Sequence, residues 1–269
     1  MSGTLDRTVA AAEIDPRAVV SPGARLGPGV RIGPYAIVGD DVSLGEECIL
    51  HAHAVVNGPS RLGRANVLHP FCRIGGDPQD LKYAGERTRL EVGDRNVFRE
   101  CVTVSRGTTQ GGGVTRIGSD NLFMTAAHVA HDCVVGNHTI FANSATLAGH
   151  VTVEDYSSIG AFSPVHQFCR IGRYAYIGAS TVITQDVPPF SLVVTERHTK
   201  CFGVNSVGLE RRGFSSERIR AIESAYRLLL NSKLNTSQAV EQMRATLNAS
   251  ADVSELLRFM DSSDRGVIK

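Results

Sequence analysis

Four residues in the stretch AAHVAHDCVVGN (126–137) could do chemistry: His128, His131, Asp132 and Cys133. A neutral imidazole can take a proton near physiological pH, and a carboxylate beside it can hold the ring in one orientation. Histidine and carboxylate are equally the donors that zinc takes. A general base with its helper, a metal site and an ordinary surface are therefore all open. The choice between them depends on the elements that hold these residues.

Those elements follow from a repeat. A large apolar residue recurs every six positions from Ile14 through Val20, Leu26 and Ile32 to Ile74, resumes at Val92, Phe98 and Val104, and runs again from Ile117 to Ile183. The fifth position of each hexad is small, as at Ala127, Cys133, Ala145 and Ser157. A period of six matches neither a helix nor a long flat strand. It matches short strands joined by turns and coiled into a solenoid, with the large residue inside and the small one filling the corner. Three hexads make one triangular coil, so residues eighteen apart stack. Cys48, Cys72, Cys133 and Cys169 all fall on the small position, where a thiol serves as a compact hydrophobe. They share no CxxC spacing, and the register assigns no role to Cys101 or Cys201.

In this register His128 is the sixth residue of one hexad and His131 the third of the next, so both point away from the interior and flank the inward Val129. His150, in the fourth position, and His166, in the second, also face out. Asp132 and His150 are one coil apart and should stack. Gly149 lies one coil above His131 and leaves open space and a bare N–H over that ring. An outward histidine with a cleared neighbour suits a base awaiting substrate. Zinc stays open as the second reading, with Lys82 an awkward cation beside it.

Two interruptions break the pattern. DPQDLKYAGERTR (77–89) keeps the phase but puts Asp80 and Glu86 on apolar positions, so it must leave the coil as a loop. GTTQGGGVT (107–115) is glycine-rich and shifts the phase by one residue. Loops on a rigid solenoid often carry function. After QDVPP the spacing turns helical, with Ile219, Ile222, Tyr226 and Leu229 on one face and a capping-box pattern from Asp252 to Glu255. The chain thus reads as a mainly β solenoid over residues 1–190 and a helical domain over 191–269. With 28 Lys and Arg against 27 Asp and Glu, no basic field invites nucleic acid or acidic membrane. No segment has the apolar length of a membrane span, and a cytoplasmic protein is the expectation.

The motifs QDLKYAGERT, GSDNLFMTAAHVAHDCVVGN, ATLAGHV, SPVHQFCRIG, QDVPP and FGVNSVGLERRGFS together resemble the UDP-N-acetylglucosamine O-acyltransferase family, over nearly the whole chain. The resemblance implies a left-handed parallel β-helix with a C-terminal helical domain, assembled as a homotrimer with a cleft between neighbouring prisms. It implies transfer of an (R)-3-hydroxyacyl chain from acyl carrier protein to the 3-hydroxyl of UDP-N-acetylglucosamine, the first step of lipid A biosynthesis, with no metal, cofactor or covalent intermediate. His131 matches the family's general base, Gly149 its oxyanion donor and Lys82 a cation that positions substrate. Asp80 and His128 match contacts to the glucosamine ring. His150, His166 and Gln167 match residues of the cleft, and Asn205, Arg211 and Arg212 the nucleotide end. Val207 stands where the family carries an acidic residue. Ala179 matches a ruler position at the floor of the acyl groove, implying a chain shorter than a glycine there would admit. Acyl carrier protein is acidic, so a basic strip near the cleft is expected, with Arg170 and Arg173 as candidates.

Overall fold

The computed structural model describes residues 11–195, 201, 203–230, 232–247 and 249–262. The chain divides into two compact units between Thr195 and Glu196.

In the first unit, strands of two to four residues stack into three parallel sheets. Sheet A runs from Glu13–Ile14 to Leu192–Val193, sheet B from Val19–Val20 to Pro164–Val165, and sheet C from Arg25–Leu26 to Arg170–Ile171. The chain visits the sheets in turn, so each strand pairs with its counterpart on the next coil. His128 lies beside Thr146, and Val129, Leu147 and Val165 stack at eighteen-residue steps. This is the left-handed parallel β-helix that the resemblance implies. Each coil after the first buries its three large residues, whereas Val20 and Leu26 of the first are only half-buried. Val38, Val56, Ile74, Val104 and Val129 line the inside of sheet B, and Phe98, Phe123 and Phe141 stack at 4.9 and 4.7 Å behind sheet A. Ile14 departs from the pattern and is 46 % exposed, because among the described residues no coil lies beneath the first.

The fifth-position residues fill the corners as expected. Cys48, Cys72, Cys133 and Cys169 are buried, and burial pushes the Cys72 and Cys133 thiols up to about 12. Such thiols are not thiolates at neutral pH and have no nucleophilic role. Asn66, Asn96 and Asn121 form a buried ladder, each Oδ1 accepting the next asparagine's backbone N–H at 3.0 Å from Asn66 to Asn96 and from Asn96 to Asn121. Most corners place their fourth residue in the left-handed region: φ is 60° at Asp132, 64° at His150 and 67° at Phe168.

The two interruptions leave the same corner, between sheets B and C. Val104 rests on Ile74 and Val129 on Val104. The inserts therefore lengthen the eighteen-residue coil by twelve and by seven, which is why only the second shifts the phase. The first loop spans 77–88, between Arg73–Gly76 and Arg89–Val92. The second spans 106–113, since Val114 already pairs with Arg89. Arg106 is buried where the two loops meet. Its Nη1 donates to the Gly75 carbonyl at 2.6 Å, and its Nη2 reaches both Asp77 and the Tyr83 hydroxyl, the latter at 3.2 Å. One guanidinium thus ties the start of the long loop to its middle.

The second unit holds four helices among the described residues: α1 (Ser206–Arg211), α2 (Ser216–Leu230), α3 (Thr236–Thr246) and α4 (Ala251–Asp261). Ala225, Leu229, Ala239, Met243, Val253 and Leu257 form its core. The capping box expected at Asp252 is not there. Ser250 caps α4, accepting from the Val253 N–H. The Asp252 carboxylate instead takes Arg218 through two bonds of 2.7 and 2.9 Å, and a charged bidentate pair outcompetes a cap. The capping box lies at α3, between Asn235 and Gln238. No described helix is long and apolar enough to cross a membrane.

Candidate active site

The B/C corner that releases both loops also carries Asp132, His150 and Phe168 in one column, and the loops wall that column into a cleft of about 770 Å³. Asp80, Leu81 and Lys82 line it from the first loop, Thr108 and Gln110 from the second, and His131, His150, Gln167 and Phe168 from the coils.

At its base, His131 Nδ1 lies 2.8 Å from Asp132 Oδ2. A carboxylate only accepts, so Nδ1 carries the proton and the neutral ring keeps its lone pair on Nε2. The Asp132 side chain is 1 % exposed, and its charge is met by donors. Thr108 gives its backbone N–H to Oδ1 at 2.8 Å and its hydroxyl to Oδ2 at 2.6 Å. The Asp132 N–H in turn donates to the Thr115 hydroxyl. The second loop is thereby clamped to the corner by the residue that orients His131. His150 stacks one coil above, its Nε2 3.8 Å from Asp132 Oδ2. Its ring meets His131 edge-on and lies flat on Phe168.

Both His128 and His131 face away from the apolar interior, but neither is freely solvated. The His131 side chain is only 13 % exposed, because the neighbouring histidine and the loops cover it. His128 lies on the outer face of sheet B, outside the cleft lining, and its Nδ1 shares a 2.7 Å hydrogen bond with the Thr103 hydroxyl. Burial, then the neighbouring His131, holds its pKa below the ordinary 6.5. The unfolded ring keeps the ordinary value, so between the two values the unfolded chain binds the extra proton and folding weakens as the pH falls. Stability should be flat above about pH 6.5 and decline below it. Thermal melts from about pH 8 to pH 5 check this, and the decline should be shallower in His128→Gln.

A Cβ on Gly149 would stand 2.6 Å from His131 Cε1 and 2.8 Å from Nε2. The missing side chain is the space the imidazole occupies. Among the described residues no acceptor takes the Gly149 N–H, which stays free beside the ring. Gly149→Ala should push His131 off its carboxylate and lower activity by about tenfold or more with the solenoid intact. Unchanged kinetics in a folded variant would show that the ring has room to spare.

The remaining expected residues divide. Asp80 and Lys82 reach the cleft, and Asp80 Oδ1 accepts the Lys82 backbone N–H at 2.9 Å in a tight turn. His166 is exposed, turned to its neighbour Gln167 through a 3.2 Å bond from Nδ1 to the carbonyl, and is not part of the lining. Ala179 follows the Tyr176–Ile177 strand at the A/B corner, so one chain does not bring it to His131. Asn205, Arg211 and Arg212 belong to the helical unit: Asn205 caps α1 through Gly208, and the arginines end that helix, exposed. Val207 is exposed in the same helix. Arg170 sits on sheet C beside Glu154, and Arg173 covers the Tyr174 ring. Thr108, Gln110 and Phe168 also line the cleft, though no motif in the sequence points to them. Phe168 was accessible one coil beyond His150, whereas Thr108 enters from a loop with no register.

The family now follows from comparison. Residues 186–268 match the second-domain model of UDP-N-acetylglucosamine O-acyltransferase, and residues 23–58 match the six-repeat bacterial transferase hexapeptide model. The UDP-N-acetylglucosamine acyltransferase structure from Bacteroides fragilis is 39 % identical over 95 % of this chain and all of its own, with a TM-score of 0.66. The chain belongs to the UDP-N-acetylglucosamine O-acyltransferase family. The Moraxella catarrhalis enzyme gives 38 % over 95 % and 99 % of the two chains, TM-score 0.66, and that of Francisella novicida 32 % over 95 % and 93 %, TM-score 0.67.

Proposed function

We propose that this family member moves an (R)-3-hydroxyacyl group from acyl carrier protein to the 3-hydroxyl of UDP-N-acetylglucosamine, the first step of lipid A biosynthesis, with His131 as general base. The observation that carries the mechanism is the 2.8 Å bond from His131 Nδ1 to a buried carboxylate, which leaves Nε2 as the basic atom of a walled cleft. Nε2 takes the proton of the sugar hydroxyl as its oxygen attacks the thioester carbonyl. The carbonyl oxygen becomes an oxyanion, for which the unused Gly149 N–H is a donor. Collapse breaks the carbon–sulfur bond, and the imidazolium returns the proton to the departing thiolate. Asp132 orients the ring and balances the imidazolium.

In this reading Lys82 and Asp80 position the sugar, with His128, His150, His166 and Gln167 around it, and Asn205, Arg211 and Arg212 hold the nucleotide. Homotrimer formation supplies what one chain lacks, because a three-fold axis can set one prism's A/B corner, with Ala179, against a neighbour's B/C corner, with His131. A cytoplasmic location belongs to the same reading. Ala179→Gly should shift donor preference toward longer chains, read as a change in relative kcat/KM across a chain-length series. The test of the whole is transfer of labelled acyl groups from hydroxyacyl carrier proteins of graded length to UDP-N-acetylglucosamine. Product with the free sugar nucleotide absent, or none with any donor, would remove the assignment.

A second reading keeps one observation. Donor atoms of His131, Asp132 and His150 lie within 4.8 Å of one another, the reach of a single zinc ion. Against it, both Asp132 oxygens already accept strong hydrogen bonds. Stoichiometric zinc in the purified protein, with activity lost on chelation, would favour it.

A further inference from the structure

The long loop has two sides. Its first half lines the cleft, and its foot closes a separate cavity of about 200 Å³ on the N-terminal side of the same corner. Arg61, Arg87 and Arg89 line this cavity together with Thr88 and Asp41. At roughly 30 Å³ per water in the liquid, it has room for a small oxyanion and a few waters.

Thr88 is 2 % exposed, and its hydroxyl has no hydrogen-bond partner. A buried hydroxyl left unpaired is costly and calls for an explanation. The nearby Ser60 hydroxyl is already spent on the Asn57 carbonyl at 2.6 Å. The guanidiniums are also incompletely used. Arg61 sits beside Glu91 in the register of sheet C, yet the Glu91 oxygens are taken by Arg89 at 2.7 Å and Arg116 at 3.2 Å. Among the described residues Arg61 has no acidic partner. Arg87 holds Asp41 at 2.7 Å, so three cations face one lining carboxylate. A tetrahedral oxyanion can accept from a hydroxyl and from guanidiniums on several sides at once, which a planar carboxylate with two oxygens does less well.

We infer that this cavity is an anion site for inorganic phosphate or a phosphomonoester, held by Arg61, Arg89 and the Thr88 hydroxyl at the foot of the loop that carries Asp80 and Lys82. It is independent of the acyl-transfer reading, because none of its residues lines the cleft.

The test titrates the full chain, in phosphate-free buffer at constant ionic strength, with inorganic phosphate and separately with glycerol 3-phosphate, following binding by calorimetry and thermal melts. Saturable binding of at least one is expected, with the tighter of the two naming the source. Arg61→Gln should weaken it about tenfold or more, the worth of one charge-assisted bond. Thr88→Val should weaken binding too, yet raise the melting temperature of the ligand-free protein, because it removes the orphaned hydroxyl. A merely structural threonine would lose stability instead. Lys82→Gln, a change in the cleft, should leave phosphate affinity alone. The inference fails if neither anion saturates, if acetate binds as tightly, if Arg61→Gln and Thr88→Val bind like the unaltered chain, or if Lys82→Gln abolishes binding.

Discussion

Replacing His131 with alanine will lower the acyl-transfer rate by about 10²–10⁴, the usual worth of a positioned general base. The melting temperature should barely move, since the ring fills a cleft wall rather than the apolar interior. Asp132→Asn is the informative companion. The amide keeps the size of the carboxylate but cannot balance an imidazolium, and its NH2 group can turn the ring to the wrong tautomer. Its rate should fall about 10²-fold or more. Because the two act as one unit, the double variant should be little worse than His131→Ala alone. Wild-type turnover by a folded His131→Ala protein would remove the base from the mechanism.

The second large effect is expected far from the reacting atoms. Arg106→Met keeps the apolar stem and deletes the charge that joins Gly75, Asp77 and Tyr83. Losing hydrogen bonds to a buried charge costs about 2–4 kcal/mol, which for a unit of this size lowers the melting temperature by roughly 5–10 °C. Activity should fall further than stability explains, mainly through a raised KM, because Asp80 and Lys82 ride on the released loop. Tyr83→Phe removes one bond of the three and should give a milder form of both changes. If Arg106→Met melts early but keeps its KM below the melt, the loop is held by something else.

The solenoid was legible in the sequence because its determinant is one-dimensional. A six-residue spacing of Val, Leu, Ile and Phe with a small fifth residue states which side chains go inward. The register therefore placed His131 outside the interior, stacked Asp132 under His150 and set Gly149 over the imidazole. Even the loop phases follow by counting, twelve residues for the first insert and seven for the second.

What the count could not supply is everything that depends on a loop folding back. Thr108 buries Asp132 and makes it an orienting carboxylate, yet it enters from an insert whose phase is broken. Arg106 reads as one more polar residue after a strand, and only the closed corner gives it three partners. His128 matches a ring contact by resemblance alone, and only the folded coil shows that Thr103 takes its Nδ1 on the outer face of sheet B. Asp252 carried the pattern of a cap until Arg218, thirty-four residues away, claimed its carboxylate. By itself the sequence determined the coil, its inward residues and the histidine that faces out, because stacking at a fixed step is local. The tertiary structure alone decided which groups orient that histidine and which anchor the loops, because those bonds join residues that no repeat brings into line.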